Sequence, residues 1–97
     1  MRTRVYEKGW GGRGEHGFKI IEIETSKNDV TIYIINKEYN DWGRCSQVQA
    51  DFEKCVTIPM KERLTKKALL DCIIEAGKIL DETYPLPKSV DELMFQD

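Results

Sequence analysis

The sequence predicts an α+β domain: an antiparallel β-meander of three to five strands over residues 2–58, one long helix over residues 64–84 packed on the sheet, and a short C-terminal helix over residues 89–95. Three observations carry this. Strand-like runs fill the first half of the chain, at Phe18–Glu24, Val30–Asn36 and Ser46–Glu53. A single long segment of helical periodicity follows. The strands all precede the helix with short connections, which excludes a parallel doubly wound design. At 97 residues the chain is expected to form one domain.

Arg2–Glu7 reads as a short extended segment that ends at a glycine-rich stretch. Phe18–Glu24 is rich in β-branched residues, and its apolar phase switches between Ile20 and Ile21. Such a switch implies a bulge or burial on both faces. Ser26-Lys27-Asn28-Asp29 is a turn cluster. Val30–Asn36 is apolar on both faces, as a central strand is, and with the preceding run it forms an antiparallel hairpin. Lys37–Arg44 is polar and reads as a loop or a twisted strand end. Ser46, Val48, Ala50 and Phe52 alternate with polar residues, so a strand with one wet face is expected. Cys55–Ile58 either continues that strand or leads into the helix, and Pro59 ends the pairing.

The helix is predicted over Leu64–Tyr84, with Thr65 as a candidate cap and Pro85 as its stop. Placed on a wheel, its apolar residues span an arc of roughly 220°, wider than a helix lying on one sheet requires. A second cover is therefore expected. Ala68, Cys72 and Ala76 recur every four residues on one edge of the arc, near Ile79, and these four positions are the candidate interface of a homodimer. The other candidate cover is the segment Val90–Phe95, folded back across Pro85 and Pro87. Ser89-Val90-Asp91-Glu92 has the pattern of a capping box, which predicts the short terminal helix.

Net charge is −2, so indiscriminate polyanion binding is not favoured. The charge is uneven. Arg2, Arg4, Lys8, Arg13 and Lys19 face only Glu7 and Glu15 in the first twenty residues, whereas residues 71–97 hold seven acids against Lys78 and Lys88. The three cysteines, Cys45, Cys55 and Cys72, fit neither a zinc site nor a disulfide framework, and are read as reduced. Nothing in the opening residues reads as a signal or transit peptide, and apolar runs are short. A cytoplasmic protein without a membrane span is expected.

Catalytic chemistry finds little support in the residues. His16 is the only histidine, and it sits among glycines, where a general base is hard to hold in place. Scattered cysteines and one histidine make no metal set. The pairs Glu22/Glu24 and Asp51/Glu53 read as solvated strand faces. No cofactor, metal or catalytic residue is assigned.

Five of the seven glycines fall between Gly9 and Gly17, together with Trp10, Arg13 and His16. The spacing is not that of a phosphate loop, and a strand follows rather than a helix. The stretch is expected to be an exposed, mobile loop presenting Trp10 and Arg13, residue types enriched where interfaces carry their energy. Its alternative is a long hairpin connection with Trp10 tucked into the core. Arg2, Arg4, Lys19 and Trp42 extend the candidate partner-binding surface. Aromatic and basic residues interleaved on a sheet also suit a single-stranded nucleic acid. The order of a strand meander followed by one long helix is similar to that of the transcription-coactivator single-strand binders, which dimerise through that helix. The similarity is one of element order, with no family motif on these residues. Together these features predict a small non-enzymatic binding protein, a regulator or inhibitor of the kind common among phage and mobile-element accessory proteins. Its expected partner is a protein. The alternative is a single-stranded nucleic-acid binder.

Overall fold

The computed structural model describes residues 1–11, 15–40 and 47–94. Four strands, β1 (Thr3–Gly11), β2 (Glu15–Thr25), β3 (Asp29–Asn40) and β4 (Gln47–Pro59), form one antiparallel sheet in the order β1-β2-β3-β4. One helix, α1 (Lys66–Leu80), and a single 3₁₀ turn, Val90–Glu92, follow. This is the predicted meander-then-helix arrangement. The molecule is elongated, 50 × 24 × 23 Å, because the strands are longer than the helix that covers them.

The two-sided strands are central, as their apolar pattern requires. Ile20 and Ile21 are both buried, which accounts for the phase switch in β2 by burial on both faces. The bulge lies instead on β1, between Arg4 and Tyr6. The hairpin turn Ser26–Asn28 is closed by a hydrogen bond from the Ser26 N–H to the Asp29 carbonyl at 3.0 Å. The polar run after Asn36 is a strand rather than a loop as far as Asn40, and Cys55–Ile58 continues β4 without a break to Pro59.

On the covered face, Ile21, Ile34, Ile23, Ile32, Val30 and Ile58 meet Leu69, Cys72, Ile73 and Ala76 of α1. Burying each large aliphatic side chain stabilises the fold by roughly 1.5–3 kcal/mol. The Thr65 hydroxyl caps the helix, accepting from the Ala68 N–H at 3.2 Å. The helix ends at Leu80, short of Tyr84. Asp81 takes a left-handed conformation (φ 57°) and the Glu82 N–H returns to the Gly77 carbonyl at 2.7 Å. That closing motif, and not Pro85, stops the helix. Gly77 is needed there: a Cβ would lie 2.7 Å from both the Glu82 carbonyl and Leu86.

The C-terminal segment is a 3₁₀ turn, shorter than the helix expected over 89–95. Glu92 still plays its capping part, accepting from the Ser89 N–H at 3.4 Å and from the Lys88 N–H. The segment folds back over the core: Leu93 is buried, Leu86 packs beside it, and the Met94 N–H donates to the Val5 carbonyl at 2.8 Å. The wide apolar arc of α1 is thus covered by the sheet on one side and this tail on another.

At its described ends the glycine-rich stretch is paired strand rather than the exposed loop expected there. Gly9–Gly11 are the end of β1 and Glu15–Gly17 the start of β2. In that register Gly9 lies opposite Phe18 and Trp10 opposite Gly17. A Cβ on Gly17 would sit 2.6 Å from the Trp10 indole and 2.3 Å from the Lys37 carbonyl, and one on Gly9 would sit 3.4 Å from the Phe18 ring. Two aromatic rings therefore lie over two glycines at neighbouring positions of one hairpin, a device that shields bare backbone in a strand.

Candidate functional site

Beyond the C-terminal end of α1 the sheet continues uncovered, and an open cleft of about 550 Å³ lies there. Its walls are Trp10, Glu38, Phe52 and Tyr84, and its floor is Lys19, Asn36, Lys54 and Glu82. Strand register assembles it. Lys19 pairs with Asn36 and Asn36 with Phe52, forming one row across the sheet. Gly17 pairs with Glu38 one row further out, beneath the indole of Trp10. The chain leaving α1 then drops Glu82 and Tyr84 onto these rows.

Glu82 is the centre of the floor. It accepts from the Lys19 ammonium at 2.8 Å and from the Asn36 amide at 3.1 Å, and pairs with Lys54 at 3.2 Å. Lys19 is only 2% exposed and also donates to the Tyr84 carbonyl at 2.7 Å. Lys54 donates to the Leu80 carbonyl at 3.1 Å, satisfying an orphan acceptor of the helix end. Burial pushes the Glu82 carboxyl up, but the hydrogen bonds from Lys19 and Lys54 outweigh it and hold the group below its ordinary range. A buried lysine paired and hydrogen-bonded in this way is a fixed part of the structure rather than a mobile charge. The aromatic walls are the adaptable part: Phe52 is 54% and Tyr84 69% exposed.

The candidate partner-binding residues are divided by this geometry. Trp10 and Lys19 belong to the cleft. Arg2, Arg4 and His16 lie on the other face of the sheet. There Arg2 stacks over the Tyr33 ring at 3.5 Å and pairs with Glu53, while Arg4 lies 3.5 Å from Glu7 and 3.6 Å from Glu22. His16 stacks on Tyr39, with centroids 5.4 Å apart. Arg13 and Trp42 lie outside the described residues. Of the candidate dimer positions, Cys72 and Ala76 are buried in this chain's own core, Ala68 is half-buried and Ile79 is 56% exposed. Burial also pushes the Cys72 thiol pKa up, with Glu75 and Asp71 adding to it, so this cysteine is a packing residue.

Phe52, Tyr84, Glu38, Asn36 and Glu82 were not among the candidates read from the sequence. The period-2 pattern of β4 places Phe52 on one face, but only the lengths of α1 and the sheet reveal that this face runs on past the helix. Among the described residues no helix is long and apolar enough to cross a membrane. No family model, no curated protein and no solved structure matches this chain.

Proposed function

We propose that the chain is a non-enzymatic binding protein that engages a protein partner through the cleft beyond α1, as a regulator or inhibitor of that partner. The observation that carries this is the clustering of Trp10, Phe52 and Tyr84 around one open cavity on a rigid sheet. Partly exposed aromatic side chains around a pre-formed concavity are what interface hot spots are made of. A protein is favoured over a polyanion because four of the sheet's basic residues, two of them in the cleft or on its rim, are already matched: Arg2 and Arg4 by Glu53, Glu7 and Glu22, and Lys19 and Lys54 by Glu82. Counterion release from unmatched lysine and arginine drives nucleic-acid binding, and these four residues have little of it to offer.

The test compares affinity capture from host extract by the natural chain and by a Tyr84→Ala, Glu38→Ala variant. Both positions line the cleft, and the Tyr84 side chain is exposed. Loss of one specific captured protein, with the melting temperature nearly unchanged, is expected. Equal capture by both forms removes the cleft from the interface. The second reading, single-stranded nucleic acid, rests on the same ring faces standing beside Lys54. Titration with a single-stranded oligonucleotide at low salt addresses it; binding that weakens steeply with salt would favour that reading.

A further inference from the structure

β4 is an edge strand, and at thirteen residues it is the longest in the sheet. Among the described residues nothing pairs with its outer side. The opposite edge, β1, is partly closed by the tail through the Met94 to Val5 hydrogen bond. A long open edge is a template for another strand. We propose that this edge receives a second copy of the same chain, paired antiparallel about a two-fold axis at Cys55, so that two four-stranded sheets become one sheet of eight.

Three features of the molecule point to a copy of itself and to that axis. The first is charge. Pairing centred on Phe52 sets Asp51 against Glu53; centred on Asp51, Glu53 or Lys54 it sets that residue against itself. Like charges directly opposite destabilise a strand pair. Centred on Cys55, Glu53 meets Thr57, Lys54 meets Val56 and Phe52 meets Ile58. Among the registers free of like-charge opposition, this one overlaps the longest run of β4, Asp51–Pro59.

The second is the position of the helix. α1 packs over β4 and β3 and runs back along β4, from the chain's exit at Pro59 to Leu80, whose carbonyl meets Lys54. The middle of the helix therefore lies over the strand near Val56, close to the proposed axis. A two-fold axis there, perpendicular to the sheet, brings the two copies of α1 side by side and antiparallel. With adjacent strands about 4.8 Å apart, helices seated between β3 and β4 of each copy have axes roughly 10 Å apart, within the range of packed helices.

The third is what the helix presents there. The tail covers its β1 side, where Gly77 meets Leu86. At about 100° per residue, Ala68, Cys72, Glu75 and Ile79 fall on the opposite side, above the β4 edge, with Cys72 buried and Glu75 and Ile79 exposed. Ile79, an isoleucine 56% exposed, is the large apolar side chain at this seam. Phe52 of each copy would also face Ile58 of the other, so the second copy would wall the cleft on its β4 side.

The proposal does not depend on the identity of the cleft's partner, and its test uses the full chain alone. Sedimentation equilibrium is run at tens of micromolar on a Cys45→Ser form. In that form Cys55 is the exposed thiol and Cys72 stays buried. The expected result is a mass twice the 11.3 kDa of one chain, with rapid conversion to a disulfide-linked dimer under copper-phenanthroline and air. Cys55→Lys places two ammonium groups opposite each other and is expected to weaken association about twofold to fivefold. Ile79→Lys, on the helix seam, is the second variant in case the first perturbs the strand. A mass of one chain overturns the proposal. So does a dimer that fails to cross-link through Cys55.

Discussion

Gly17 illustrates how one missing side chain sets the shape of the candidate site. Its backbone is the surface on which the Trp10 indole rests, and any Cβ there would clash with both the ring and the Lys37 carbonyl. Gly17→Ala is expected to destabilise the fold by about 2 kcal/mol, in the manner of overpacking. Urea unfolding measures it, and an unchanged midpoint would mean the ring yields at no cost. Glu82 offers a second test at this scale. Its carboxyl is held below the ordinary value of 4.5 in the folded state and returns to the ordinary range on unfolding. Its contribution is therefore fully present above about pH 4.5 and is lost as the pH falls through the lowered folded value. Glu24 and Glu92 are lowered too, Glu24 chiefly by a hydrogen bond from the chain's amino terminus and Glu92 by one from the Lys88 N–H, so all three act in the same direction. The difference between the natural chain and Glu82→Gln isolates one of them: the variant should lose less stability between about pH 5 and pH 3. Equal slopes would show that Glu82 gains nothing from Lys19 and Lys54. Neither residue's role was legible in the sequence. A glycine beneath a tryptophan needs the hairpin register, and Lys19 meets Glu82 across sixty-three positions of chain, beyond the reach of any local pattern.

At the scale of elements, local chemistry was legible where a few neighbouring residues settle the matter. Thr65 caps α1, Pro59 closes β4, and Glu92 accepts from the N–H groups that precede the last turn. The end of α1 was not legible, because the left-handed position that closes it carries Asp81 in place of the glycine that would signal it. The acid there is doubly unfavourable: it bears a Cβ at positive φ, and it adds negative charge to the negative end of the helix dipole. Asp81→Gly is expected to stabilise the protein by about 0.5–1 kcal/mol, the reduced native strain outweighing the entropy that glycine adds to the unfolded chain. Thermal unfolding at neutral pH reads this directly. A lower melting temperature would show that the Asp81 side chain has a stabilising contact that outweighs both costs.

On the scale of the whole molecule, the fold class follows from the order of patterns, while the proportions do not. Three strand-like runs and one helical run dictate a meander with a helix on it. The sequence could not show that β1–β4 outreach α1, because Gly9–Gly11, Glu15–Gly17 and Lys37–Asn40 look like loops by composition and become strands only through pairing with one another. That extra length creates the cleft. The width of the apolar arc on α1 demanded a second cover, and the segment after Pro85 supplies one on the β1 side: Pro85, Pro87 and Leu93 are buried, and Leu86 fills the space that Gly77 leaves open, while Ile79 on the other side stays 56% exposed. Removing residues 86–97 should therefore strip the helix and the β1 edge at once. Buried Leu93 at roughly 1.5–3 kcal/mol and half-buried Leu86 at about half that, with the backbone bond to Val5 and the newly exposed face of α1, amount to a large share of the roughly 5–15 kcal/mol that a domain of this size typically holds. The truncated chain is expected to lose cooperative thermal unfolding while keeping much of its far-ultraviolet dichroism, since the strand pairing does not involve the tail. Cooperative melting of the shorter form at the natural temperature would mean that the sheet alone suffices to hold α1.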